Sequence, residues 1–397
     1  MAKRSDKSAK VVMKVLFYLL CIAMGLWVGT YVARSTEGGY GNLILYLIGG
    51  VAAVLLALLV QIIVHELGHL LAGLAGGWRF LAFRVLSVML VRSGCKLRLT
   101  NFNIPGTAGQ CLMSPPERPA AECRLTLYNA GGFAANIILA IVALALFVAC
   151  HDGMGFFAQA FVLSLVATGL VLALQNGVPM VVGGTPNDGL NIRLLRRDPS
   201  SARHFVGMLR CNALTMQGVR LKDMSDDIFA LDDGDDRRSS LVQGTMFARL
   251  CRALDALDLD AAQSEADALA ALGDDLPAIY AGELHREQLF LSLVMRGGGG
   301  EAERLYDKHL RDYLKAMSAW QLSSLRVMYA YALLHDRDGQ AAAELRARFD
   351  RKAAGYFSPA DAESERDLMR LVDERRADGA QSGHEPSAGA DGRTGIK

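Results

Sequence analysis

Within five residues, His65-Glu66-Leu67-Gly68-His69 sets two imidazoles four positions apart with a carboxylate between them. On a helix, positions i and i+4 share a face, so both rings can reach one metal ion. Glu66 is one residue past the first imidazole and three before the second. It can stand beside the ion without binding it and take a proton from a water molecule, as metal-assisted hydrolysis requires. Zn²⁺ suits two imidazoles, but it needs a third protein ligand and leaves the fourth position to water. Asp188 is the candidate, in the stretch Gly183-Gly184-Thr185-Pro186-Asn187-Asp188-Gly189 that follows Asn176-Gly177-Val178-Pro179. The plainer role for Asp188 is to cap a helix starting at Leu190.

These groups lie among apolar residues. Hydrophobic residues make up 52% of the 397 and the mean hydropathy is +0.22, which points to membrane segments rather than a wholly soluble chain. Four apolar runs are long enough to span a bilayer: Val15–Val32, Leu43–Ala75, Leu127–Ala149 and Phe156–Leu174. The second would be about 50 Å long as one helix, longer than a hydrocarbon core of about 30 Å. It carries His65, Glu66 and His69, and ionisable groups at membrane depth are costly and usually functional. Lys+Arg 42 against Asp+Glu 41 offers no electrostatic basis for binding nucleic acid. None of the seven cysteines forms a CxxC pair, so neither a disulfide framework nor a zinc knuckle is expected.

The two motifs together resemble the site-2 protease family of intramembrane zinc metalloproteases, over about Leu43 to Ile192. The resemblance implies His65, His69 and Asp188 as zinc ligands, Glu66 as general base, and Asn176 as the residue that holds the substrate carbonyl or its oxyanion. The stretch from Asn176 to Asp188 is longer than the family's. The segment Tyr128-Asn129-Ala130-Gly131-Gly132-Phe133-Ala134-Ala135-Asn136 matches the family's small-residue stretch ending in Asn. Its glycines and alanines suit close helix packing.

The expected fold class is an all-α polytopic membrane protein of about four transmembrane helices, followed by a soluble, repeat-like helical domain. Strand-like patches at Arg79–Met89 and Cys95–Phe102, turning at Arg92-Ser93-Gly94, leave room for a small β-hairpin whose edge could take a substrate strand. Residues 1–14 read as a basic cytoplasmic N-terminus, 15–198 as a transmembrane zinc protease domain and 199–240 as a linker. Residues 241–376 read as a tetratricopeptide-like helical domain with pairs recurring at about 38–40 residues, and 377–397 as a disordered tail. The expected activity is hydrolysis of a peptide bond in or beside the membrane. The expected partners are a transmembrane or membrane-associated protein or peptide substrate, the lipid bilayer and a protein bound by the C-terminal helices. The rival is an inactive membrane scaffold that binds partners through those helices.

Positive charge sets the orientation. It is dense in 1–14, in the 78–126 loop and after residue 192, and sparse in 33–42 and 151–155. Both termini are therefore expected in the cytoplasm, the setting being a bacterial cell membrane. A reporter fused after Arg197 should behave as cytoplasmic and one in the 151–155 loop as external. The reverse pattern would overturn this topology.

Overall fold

The computed structural model describes residues 43–93, 96–102, 107–182, 185–296 and 299–382, and a few single positions before residue 43. The expected first span, Val15–Val32, lies almost entirely outside the described residues. The chain divides into two compact units. The first is Met1–Val219, Asp223–Ala248 and Ala271–Tyr280, and the second is Arg220–Lys222, Arg249–Ala270 and Ala281–Lys397.

In the first unit, α1 (Leu43–Ala75), α2 (Leu125–Cys150) and α3 (Phe156–Gly177) pack on one another. Among the described residues these are the three helices long and apolar enough to cross a membrane. Their outward faces leave large aliphatic side chains such as Ile48, Leu55, Ile138, Ile141 and Leu170 exposed, as suits contact with lipid. Lipid supplies no hydrophobic drive between helices, so close association rests on small residues and buried polar contacts. Gly68 of α1 and Gly131 of α2 face each other so closely that a Cβ on either would run into the other's carbonyl oxygen.

Between α1 and α2 the chain forms a four-stranded antiparallel sheet in the order β3-β2-β1-β4. Its strands are β1 (Arg79–Val85), β2 (Val88–Ser93), β3 (Lys96–Asn101) and β4 (Gly109–Ser114). A hairpin pairs β2 with β3, Ser93 opposite Lys96, so its first arm is Val88–Ser93 and not the expected Arg79–Met89. The sheet is larger than expected because the Arg79–Met89 patch is not one strand. Leu86 adopts φ 54°, a left-handed conformation costly for a branched residue, and turns the chain. Leu86 accepts a hydrogen bond from Arg84 Nη1 and donates from its amide to Ala108 O, each at 2.7 Å.

Past α3, β5 (Val181–Val182) and β6 (Thr185–Pro186) pair as a short hairpin, closed by Asn187 N donating to Met180 O at 3.1 Å. This fold-back takes up the added length between Asn176 and Asp188. Helix α4 (Asp188–Arg197) starts there.

Residues 199–240, expected as a linker, begin with a helix. Pro199–Met216 is a helix, α5, capped by Asp198 and with Pro199 in its first turn, where proline's missing N–H costs nothing. The Asp-rich stretch is also held, since Asp235 pairs with Arg203 at 2.9 Å and with His204 at 3.1 Å.

From residue 240 the chain is a run of helices: α6 (Ser240–Asp255), α7 (Leu259–Ala270), α8 (Ala278–Arg296), α9 (Gly299–Leu305), α10 (Lys308–Met317), α11 (Leu322–Ala330), α12 (Gly339–Ala353) and α13 (Pro359–Ser382). The helical run breaks between α9 and α10, where Asp307 caps the new helix by accepting from Leu310 N. Helix α13 runs past residue 377, where the tail was expected to begin. Within the second unit, Glu287, Arg326 and Glu365 stand 39 residues apart in turn and join as a ladder, Glu287 and Arg326 buried and Glu365 half-buried, with contacts of 2.8 Å and 2.7 Å.

The Gly68–Gly131 contact gives the fold a test. Gly131→Val should overpack the α1–α2 contact and cost about 1–3 kcal/mol, read as a lower thermal midpoint of the detergent-purified protein. An unchanged midpoint would mean that the two helices do not approach this closely.

Candidate metal centre

Helix α1 presents His65 and His69 on one face, buried, with the Nε2 atoms 3.1 Å apart. Their other nitrogens are committed. His69 Nδ1 lies 2.8 Å from Tyr128 O, an acceptor only, so Nδ1 carries the proton. His65 Nδ1 lies 2.8 Å from Asn136 Oδ1. The orientation of that amide is fixed because Asn136 Nδ2 donates to Gln61 O at 2.8 Å and to Gln61 Oε1 at 2.7 Å. Gln61 Nε2 in turn donates to Leu165 O at 2.8 Å. The relay runs through α1, α2 and α3, and Gln61 and Asn136 are fully buried. In the neutral rings, both Nε2 atoms are therefore bare lone pairs.

Asp188 completes the group. Its Oδ2 lies 3.3 Å from each Nε2 and is buried with no hydrogen-bond donor. Asn187, not Asp188, caps α4: its Oδ1 accepts from Leu190 N at 2.9 Å and from Met180 N at 3.1 Å. Its Nδ2 is spent on Gln175 O and Val178 O, both at 2.6 Å. With the cap supplied by its neighbour, the Asp188 carboxylate is free to face the histidines. The bond from Asn191 Nδ2 to Asn129 Oδ1, 3.2 Å, ties α4 to α2.

Three acceptor atoms around one point repel one another unless a cation, a proton or a metal ion, lies between. A tetrahedral ion with bonds of about 2.0–2.1 Å spaces its ligands by about 3.3 Å. The observed 3.1–3.3 Å fits that spacing, so His65, His69 and Asp188 could hold a metal ion. Gly132 leaves room at this point: a Cβ there would meet His69 Nε2 at 2.5 Å and His65 Nε2 at 2.6 Å.

The centre opens onto a cavity of about 380 Å³, also lined by Glu66, Thr107, Gly109, Cys111 and Asn176. Glu66 is buried beside Gly109. Asn176 reaches the cavity wall, but its Nδ2 donates to Leu172 O at 3.0 Å, within its own helix. Burial, helped by the charge of Glu66, pushes the Cys111 thiol up to about 12, so it stays protonated at neutral pH.

A profile of Peptidase family M50 matches residues 53–329 of this sequence. The chain belongs to this family. No curated protein and no solved structure matches it. Family M50 comprises zinc metalloproteases, and with the membrane-length helices this membership points to an integral-membrane metallopeptidase.

Sequence reasoning passed over two polar residues that this M50 chain buries completely. Gln61 reads as one polar residue in an apolar run. Arg84 sits in β1 and holds residues 107–109 through bonds to Thr107 O and Gly109 O at 3.3 Å. A charged residue at an inward position of a strand was the available signal for Arg84.

The orienting amide can be tested directly. Asn136→Leu removes the acceptor that sets the His65 tautomer and should weaken zinc retention by about 10–100-fold in chelator competition. Undiminished retention would show that Asn136 does not orient the ring.

Proposed function

We propose that this chain is an intramembrane zinc endopeptidase, hydrolysing a peptide bond within or next to the membrane in a membrane-protein or peptide-precursor substrate. One observation carries the reading. The three-acceptor cluster of His65, His69 and Asp188 shares a cavity with a carboxylate, Glu66, that belongs to no part of the cluster. In this reading those three residues are the zinc ligands and Glu66 is the general base.

When bound, zinc supplies Lewis acidity to the scissile carbonyl and makes water easier to deprotonate. Glu66 accepts the proton of the attacking water and passes it to the leaving amine, so one water is consumed as the C–N bond breaks. The substrate is held as an added strand. β4 is an edge of the sheet, and Gly109, Gln110 and Cys111 lie along the cavity wall. An extended peptide paired there runs its backbone past Glu66. Tyr128 Oη already donates to Cys111 O at 2.7 Å, which fixes that stretch of edge against α2. Asn176, which also lines the cavity, serves the carbonyl oxygen once its side chain leaves Leu172 O.

Glu66→Gln keeps the shape of the side chain and loses the base. The variant should keep about one zinc per chain while turnover of a transmembrane peptide falls by about 10²–10⁴. Zinc content and cleavage should be measured on the same purified samples. Wild-type turnover in the variant would remove the protease reading and leave the scaffold.

A further inference from the structure

A second cavity, about 570 Å³, lies where α2 begins and α3 ends. Its apolar wall includes Phe133, Pro179 and Ile192, and its rim carries Arg193, Arg196 and Arg197 of α4. The three guanidinium groups are exposed and, among the described residues, have no carboxylate partner. The nearest acid in sequence, Asp198, is spent on Ser200, accepting from its amide at 2.9 Å and its hydroxyl at 2.6 Å. Attraction to the helix C-terminus accounts for Arg196 and Arg197, but not for Arg193 or for the cavity between them and the helices.

The position of the cavity names its occupant. It opens at the ends of two membrane-length helices, where a bilayer has its headgroups. Close by in sequence, Leu127 of α2 and Leu174 of α3 are 41% and 40% exposed, so apolar surface continues from this level toward the bilayer. A basic rim over an apolar wall at that depth matches a lipid phosphate with its acyl chains. A soluble acidic peptide would leave the apolar part unmatched.

We infer that this cavity binds an anionic phospholipid, with its phosphate on Arg193, Arg196 and Arg197 and its acyl chains along α2 and α3. The inference rests on the membrane reading of the three helices and not on the metal. Gly189, the neighbour of Asp188, packs so tightly on Gly177 that a Cβ there would strike its carbonyl oxygen. The lipid therefore braces the junction from which Asp188 projects.

The test is native mass spectrometry of the full-length, detergent-purified protein titrated with phosphatidylglycerol or phosphatidylcholine. Phosphatidylglycerol should be retained in preference, and excess inorganic phosphate should not displace it. Replacing all three arginines by glutamine should weaken retention about a hundredfold, and each single Arg→Gln change about fivefold. The single variants decide the matter if the triple variant fails to fold. Glu66→Gln should hold the lipid as wild type does. Equal retention of the two lipids, displacement by free phosphate, undiminished retention in the arginine variants, or loss of lipid in Glu66→Gln would each overturn the inference.

Discussion

Two imidazoles that each commit the Nδ1 proton to a buried acceptor have bare nitrogens left to offer each other. That constraint organises the membrane unit. His69 is held by the Tyr128 carbonyl, and His65 by Asn136, whose orientation is set by Gln61. Gln61 reaches on to Leu165. A polar chain of this kind inside three apolar helices is costly to leave half-made, because Gln61 and Asn136 are too fully buried to turn to solvent for a missing partner. The same bonds that fix the tautomers also fix how the helices pack. Small residues complete the arrangement. Gly68 and Gly131 allow α1 and α2 to approach, and Gly132 keeps the space beside both Nε2 atoms open.

Asp188 reaches the site by a different route, from a helix start rather than from a span. Its freedom depends on its neighbour. Asn187 satisfies the first turn of α4 and ties it back to Gln175 and Val178. Oδ2 of the adjacent Asp188 carboxylate is left without a donor of its own. The β5–β6 hairpin absorbs the added length before this point, so the spacing in sequence between Asn176 and Asp188 does not set their separation in space. A cap residue and a facing residue side by side thus divide two duties that a single Asp could not perform together.

The His65–His69 spacing, three of the four apolar runs and Asp188 as the carboxylate that meets the two imidazoles were legible in the sequence, because each rests on local periodicity or on one strong chemical signal. The packing glycines could be read as small but not as facing particular residues. Gln61 and Arg84 were missed for the same reason, since a lone polar residue discloses a partner only once the fold brings that partner near. The sheet was half visible. The β2–β3 pair has a turn signal at Arg92-Ser93-Gly94, whereas β4 is a short strand without clear alternation, placed by pairing with β1 and by Arg84. Residues 199–240 read as a linker because the Asp-rich stretch 223–236 does not disclose that Asp235 is paired with Arg203 and His204, which come earlier in the chain.

The central claim is that one cation is held by two imidazoles and a carboxylate at the point where three lone pairs meet. X-ray absorption at the zinc edge, on the purified full-length protein, reads that ligand set directly. The account predicts about one zinc per chain with only nitrogen and oxygen neighbours, at about 2.0–2.2 Å, and two imidazoles in the outer-shell scattering. A sulfur neighbour at about 2.3 Å, or scattering from fewer than two imidazoles, would contradict it.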